Sequence, residues 1–525
     1  MLSELLLSAA WRCPDAPALK YHGDSQTYGA LAIEVERFAD GLIAVGLGKG
    51  DRVGIYLAKQ FETVAAIFGT AAAGGMFVPL NPALRHRQVG YILRDCNIRI
   101  LVTSPERLAS LGGELHNYPD LRTVVLVGAG EAPTSLLGIE CHRWDDLKAR
   151  EGGPCWPRLI DSDLAAILYT SGSTGMPKGV VLSHRNLVAG ARSVCQYLGN
   201  TAADRILAAP PLSFDYGLSQ LTTGFCAGAE VVLMNYLFPR DVIRLLASES
   251  ITGLPCVPPV WFQLAQLDWP AEATAHLRYA TSTGGRMPGK LIQALQSRMP
   301  ATDFFIMYGL TEAFRSTYLP PREVNDRPGS IGKAIPNAEV LVVRENGELC
   351  DPGEEGELVH RGPLVSLGYW NDPERSAKRF KPAPGGPAEV PIKEMAVWSG
   401  DTVRMDADGY LYFVNRRDDM IKTSGYRVSP TEVEDVIQAS GLAGEVVAVG
   451  APHARLGEGI VVFLVPARDE GCNADAIMAI CRAELPNYMV PQAILSRESL
   501  PLNPNGKVDR RSLAEEVETV FEEAT

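Results

Sequence analysis

Two spacings of apolar residues alternate through the first half of this chain. Short apolar runs at 52–57, 77–79, 98–103 and 123–127 have the length of buried strands. Between them, 61–73 and 87–95 carry apolar residues at helical spacing. A second half repeats the theme, with strands at 205–209, 230–234 and 251–255 and a helix over Pro239–Ser248. Pro239 is tolerated there because it falls in the first turn. Such alternation predicts an α/β fold built on mostly parallel sheets. After about residue 335 the pattern changes. Short strands at 339–344, 356–360 and 410–414 are separated by Gly, Pro, Asp and Asn turns, which suggests a small β-rich subdomain. A compact α/β segment follows 418, with helices at 430–438 and Ala474–Glu484 and strands at 445–450 and 460–465. The expected organisation is a large domain over 1–417, its β-rich part at about 335–417, and a small domain over 418–525. The acidic tail 514–525 is expected to fray.

Length and composition narrow the class. A chain of 525 residues is too long for one hydrophobic core. Its net charge of −13 argues against nucleic acid as a partner. The 10 cysteines form no CxxC pair, and no HExxH helix is present, so they read as reduced residues of a cytoplasmic protein. The first residues lack a basic leader and a long apolar stretch, and no run is long enough to span a membrane.

The candidate chemistry starts at Thr170-Ser171-Gly172-Ser173-Thr174-Gly175-Met176-Pro177-Lys178, after the apolar run 164–168. Small residues let backbone N–H groups approach an anion, hydroxyls add donors, and Lys178 adds a mobile charge. It is not a Walker A loop, because Pro177 stands where that motif needs its second glycine.

This loop resembles the phosphate-binding signature of the adenylate-forming superfamily, which includes acyl- and aryl-CoA ligases, nonribosomal-peptide adenylation domains and luciferase. Further stretches resemble that family's motifs in the same order. They are Tyr308-Gly309-Leu310-Thr311-Glu312, Ser399-Gly400-Asp401, Arg416-Arg417-Asp418 with the loop Ser424-Gly425-Tyr426-Arg427, and Asn505-Gly506-Lys507. The resemblance implies that a carboxylic acid is joined to the α-phosphate of ATP and then passed to a thiol. It assigns the β- and γ-phosphates to Thr170–Lys178, the α-phosphate to Thr311 and Mg²⁺ to Glu312, a hard carboxylate ligand. Asp401, helped by Arg416, would take the ribose hydroxyls. Tyr308 would stack on adenine beside Gly284, Gly285 and Gly309. Lys507 would bridge the substrate carboxylate and the α-phosphate. Asp418 would be the hinge about which the small domain swings, bringing Gly425 and Arg427 to a thiol channel. Ser399 and Asn415 depart from the family's usual Thr and Gly without removing a charge.

Within the superfamily the chain resembles stand-alone amino-acid adenylation enzymes of the prolyl type, and also exosortase-associated acyl-CoA ligases. Phe214-Asp215 stands where fatty and aryl ligases usually carry His and an apolar residue. In amino-acid adenylation domains this Asp binds the substrate ammonium, and a buried carboxylate needs such a cation. Alternatively, Asp215 caps the helix that follows. Tyr216, Ser219, Cys256, Ser282, Gly284, Met307, Arg315 and Ser316 would shape the pocket, with Tyr216 and Met307 favouring a small acid such as proline. Arg315 would otherwise meet a substrate carboxylate or face solvent. The implied acceptor is the phosphopantetheine of a free carrier protein, with free CoA as the alternative. Two rival classes are a binding module that has lost catalysis and an oxidoreductase. Intact Lys507, Glu312 and Asp401 oppose the first, and Gly128-Ala129-Gly130 supports the second only weakly.

Overall fold

The computed structural model describes residues 1–129, 135–136, 138–149, 156–170, 176–285, 287–387, 389–416, 420–466, 474–501 and 508–521, without the side chains of 112–114, 135, 415 and 416. Its first sheet runs in the order Lys178–Ser183, Leu164–Thr170, Met76–Pro79, Arg52–Tyr56, Ile100–Thr103, Thr123–Leu126, Ile139–Arg143 and Ser135–Leu136. The inner pairings are parallel, and only the two edges are antiparallel. The second sheet has a parallel half made of Pro17–Tyr21, Glu230–Leu233, Arg205–Ala208, Gly253–Cys256, Tyr279–Ser282 and Asp303–Tyr308. It continues antiparallel through Thr317–Leu319, Ser330–Ala334, Leu411–Arg416, Met395–Met405, Glu355–Arg361 and Glu339–Val343. The β-rich part is thus an extension of the second sheet. The small domain holds a third sheet built around the hairpin of Ala443–His453 and Gly457–Pro466.

The two parallel sheets are joined by one apolar core. Helices Tyr28–Ala44, Phe61–Ala72 and Asp215–Ala227 fill it, contributing Phe38, Phe68 and Phe225. Thr63 to Ala72 are all buried, as expected of a helix apolar all round.

The strands expected from apolar runs appear within three residues of their predicted ends, the largest differences being the longer hairpin strands Ala443–His453 and Gly457–Pro466. Tyr279–Ser282 and Asp303–Tyr308 were not expected. The first is too short and polar to read as a strand, although every residue is buried. The tail also differs from expectation. Leu513 and Val517 are buried, and Phe521 lies against Gly459 with its ring 5.0 Å from that of His453. Apolar residues at helical spacing therefore hold the acidic segment to the third sheet as far as 521. The proposed domain boundary at Arg417 and Asp418 lies outside the described residues.

One buried charge ties the two halves together. Lys59 follows strand Arg52–Tyr56 and donates its Nζ to the carbonyls of Ala208, Ala209 and Pro210 at 2.8, 2.6 and 3.0 Å. Burial pushes its ammonium down to about 7. The three carbonyl acceptors favour the charged form. These carbonyls sit at the end of strand Arg205–Ala208, on the approach to helix Asp215–Ala227. Lys59→Met would leave them unanswered. Its unfolding free energy in urea should fall by about 2–4 kcal/mol, and a variant as stable as wild type would refute the tie.

Candidate active site

A cavity of about 1140 Å³ opens between the C-terminal ends of the two parallel sheets and the small domain. Thr170, Lys178, Asp215, Tyr216, Cys256, Gly284, Gly309, Thr311, Glu312, Arg315, Gly425 and Arg427 all line it. Residues separated by up to half the chain thus converge on one space. Ser219, Ser282, Met307 and Ser316 are buried behind its wall. Met307 Sδ accepts from the Tyr197 hydroxyl at 3.0 Å, and Ser316 Oγ pairs with His360 Nδ1 at 3.0 Å. Ser171, Gly172, Ser173, Thr174, Gly175, Asp418 and Lys507 lie outside the described residues, as does the side chain of Arg416.

Residues 171–175 fall between the two strands of a hairpin. Thr170 pairs with Lys178 across the antiparallel strands Leu164–Thr170 and Lys178–Ser183. The hairpin delivers Lys178 Nζ to Glu312 Oε1 at 2.8 Å and to the Tyr369 hydroxyl at 2.7 Å. That hydroxyl also donates to Glu312 Oε1 at 2.5 Å, and Arg379 Nε stands 3.9 Å away. Glu312 is 4% exposed. Burial alone would raise its pKa, but the Lys178 and Arg379 charges outweigh that and hold it well below the usual carboxylate range. Tyr369 and Arg379 were missed in the sequence because neither sits in a recognisable motif. Among the described residues no three His, Cys, Asp or Glu side chains cluster as a metal site. A single hard carboxylate fits an ion such as Mg²⁺ that takes its other ligands from phosphate and water.

The Ser399-Gly400-Asp401 stretch of strand Met395–Met405 is built for a close approach. Gly400 has φ +69°, and a Cβ there would sit 2.8 Å from Arg379 Nη1, so only glycine fits without strain. Ser399 Oγ accepts from the Asp401 N–H at 3.1 Å, supplying the hydroxyl the usual Thr would. Asp401 is buried, accepts from the Tyr308 hydroxyl and pairs across the strands with Arg416.

Asp215 is not a helix cap. It is the first residue of helix Asp215–Ala227, whose N-cap Phe214 makes no side-chain bond. Arg315 Nη1 instead donates to Asp215 Oδ2 at 2.6 Å and to the Phe314 carbonyl at 2.9 Å. Its guanidinium lies 5.0 Å from the Tyr216 ring centroid, and Arg315 is 2% exposed. Arg315 therefore faces inward. The cation that Asp215 requires is already in the chain. Among the described residues, Asp215 Oδ1 is held only by a long 3.3 Å bond from Thr311.

The small domain closes the cavity with its Gly425 loop. Gly425 has φ +81°, and a Cβ there would meet Val257 Cγ2 at 2.7 Å. Tyr426 stacks on Tyr488 at 3.7 Å and meets the Phe214 ring edge-on at 5.3 Å.

Glu312→Gln tests the charge cluster. It would strand two buried cations, and the expected loss of stability at pH 7 is about 3 kcal/mol. The native carboxyl is depressed, so its contribution is complete above the unfolded pKa of about 4.3. It disappears only as pH falls through the lower folded value. Urea denaturation from pH 7 downward should show a constant gap that closes only in strong acid. A gap closing near pH 5 would contradict the pairing.

Known proteins match this arrangement. The family model for AMP-binding enzymes matches residues 7–370, and the model for their C-terminal domain matches 432–507. A long-chain-fatty-acid–CoA ligase of Salmonella typhimurium is 30% identical over 98% of this chain and 94% of its own. A linear gramicidin synthase polypeptide of Brevibacillus parabrevis is also 30% identical, over 96% of this chain but only 6% of its own length. Among solved structures, a double mutant of o-succinylbenzoate CoA synthetase from Bacillus subtilis, bound with its product analogue, is 26% identical. It superposes with a TM-score of 0.82, covering 97% of both chains. The same enzyme in complex with its acyl-adenylate intermediate reaches 0.68 over the same coverage.

Proposed function

This chain belongs to the AMP-binding enzymes and activates a carboxylic acid as its adenylate, and we propose that the acid is small and polar and that its acyl group passes to a phosphopantetheine thiol. In the first step a carboxylate oxygen attacks the α-phosphorus and pyrophosphate leaves. In the second a thiolate attacks the acyl carbon and AMP leaves. Both steps depend on charge neutralisation and alignment. The loop Thr170–Lys178 would grip the β- and γ-phosphates, Thr311 the α-phosphate and Asp401 the ribose. Glu312, with phosphate oxygens, would hold Mg²⁺, which would neutralise the leaving pyrophosphate. Lys507 would reach the reacting carboxylate when the small domain turns. The Gly425 loop against Val257, and the better superposition on the product-analogue complex, support a thiol-transfer arrangement in this structure.

The Asp215–Arg315 pair carries the choice of substrate. Asp215 is answered within the chain, so an ammonium group would have to share or displace a guanidinium at 2.6 Å. A neutral polar group next to the carboxylate would meet both members of the pair at lower cost. This favours an acyl- or aryl-type acid–thiol ligase using CoA. The second reading, a small amino acid such as proline loaded onto a carrier protein, rests on the weakly held Asp215 Oδ1.

ATP–pyrophosphate exchange over amino acids and their deaminated counterparts separates the two. The expected result is exchange with acids lacking an amine, with Arg315→Ala losing about tenfold in kcat/KM. Strong exchange with one amino acid, lost in Asp215→Ala and kept in Arg315→Ala, would establish the amine reading instead. Lys507→Ala should abolish exchange yet still transfer the acyl group from supplied acyl-adenylate. Equal loss of both steps would remove Lys507 from its adenylation role.

A further inference from the structure

Helices His184–Leu198 and Asp215–Ala227 pack side by side. Cys195 on the first and Cys226 on the second are both free and half-buried. Cys195 Sγ lies 3.7 Å from the Thr223 carbonyl oxygen. Thr223 stands three residues before Cys226, on the same side of its helix. The two thiols meet at this contact and hydrogen-bond to each other. Arg192, three residues before Cys195, and Arg12, at the end of helix Ser3–Arg12, both act on the Cys226 sulfur. The bond from Cys195 and these two cations outweigh burial and bring the Cys226 thiol down to about 7. Cys195 is driven the other way, because the same bond, burial and Asp204 keep its proton on.

A thiolate is the nucleophile of thiol oxidation, and a neighbouring thiol resolves the product. Helices Asp215–Ala227 and His184–Leu198 supply one of each. We propose that Cys226 and Cys195 are a modification site, a dithiol that hydrogen peroxide closes reversibly to a disulfide between the two helices. The Cys226 thiolate attacks one peroxide oxygen and the O–O bond breaks, leaving a sulfenic acid and hydroxide. The Cys195 sulfur then attacks the Cys226 sulfur. The S–S bond forms, the S–O bond breaks, and the Cys195 proton leaves with the oxygen as water. The two sulfurs lose two electrons, which the peroxide gains. A reducing thiol restores the pair by exchange. The bond would brace the wall behind the acid pocket. Val194, Tyr197 and Leu198, around Cys195, pack with Tyr216, Phe305 and Met307. Helix His184–Leu198 follows directly from strand Lys178–Ser183, while helix Asp215–Ala227 starts at the pocket carboxylate. A cross-link between them joins the phosphate side of the site to the acid side.

The test treats full-length enzyme at pH 7 with hydrogen peroxide, caps free thiols with N-ethylmaleimide and digests with trypsin. The expected product is peptide 193–205 joined to peptide 206–240, two hydrogens lighter than their sum and parted by dithiothreitol. In Cys195→Ser, Cys226 should instead be trapped by dimedone as its sulfenic acid. In Cys226→Ser, Cys195 should remain a capped thiol. The linked enzyme should unfold at a urea concentration about 1 M higher than the reduced one, a shift absent from both variants. Cys195 and Cys226 still free when the exposed Cys13 has been oxidised would overturn the site. So would disulfides that join either of them to another cysteine. A linked enzyme with an unchanged urea midpoint would overturn the brace.

Discussion

Glu312 is a buried anion, and a buried anion must be answered by cations held in place. The answer comes from three parts of the chain. Lys178 arrives on the edge hairpin of the first sheet. Glu312 itself follows strand Asp303–Tyr308 of the second. Tyr369 and Arg379 come from the segment between the β-rich strands. Tyr369 is further anchored by a backbone bridge to Val180, beside Lys178. The cluster that would handle phosphate and metal is also the joint that fixes the large domain's parts together. Its strong fields act in a space already organised before any ligand enters, which is the condition for electrostatic catalysis.

The opposite holds where the two domains meet. Tyr426, stacked on Tyr488 within the small domain, meets Phe214 of the large one edge-on, while Gln88 makes one long bond to the Glu484 carbonyl at 3.4 Å. Flat rings slide and separate without stranding a charge. The buried Asn81 and Glu432 meet the uncharged Tyr426 and Gln88. An interface of this kind is suited to form and dissolve within a catalytic cycle, in contrast to the ionic joint around Glu312.

Much of this was legible in the chain. The parallel sheets announced themselves through short apolar runs, because strands buried on both faces need no polar alternation. The motifs brought Lys178, Thr311, Glu312 and Gly425 toward one cavity because each sits at a strand end or sharp turn, where local sequence dictates geometry. What escaped was set by tertiary contact. Tyr279–Ser282 is a central strand made largely of small polar residues, buried by its neighbours rather than by its own hydrophobicity. Lys59, Asn81, Tyr369, Arg379 and Glu432 carry no periodicity or spacing that marks them. Each matters through a partner distant in sequence, and no local pattern records that partner.

Asp215 makes the same point at the level of function. Its local sequence matches that of an ammonium-binding carboxylate, but the role depends on what stands opposite. Here Arg315, one hundred residues on, stands opposite it as an internal cation. A motif fixes which atom is presented, while the charge of its partner fixes what that atom recognises. The pair is neutral as a whole, and it presents one oxygen weakly held by Thr311 beside a guanidinium whose Nη1 is spent on Asp215 and the Phe314 carbonyl and whose buried Nη2 has no partner among the described residues. Selectivity in such a pocket comes from the cost of disturbing the pair. Any acid that leaves Asp215 and Arg315 together has an advantage over one that must part them, because parting leaves the buried Arg315 guanidinium without its carboxylate.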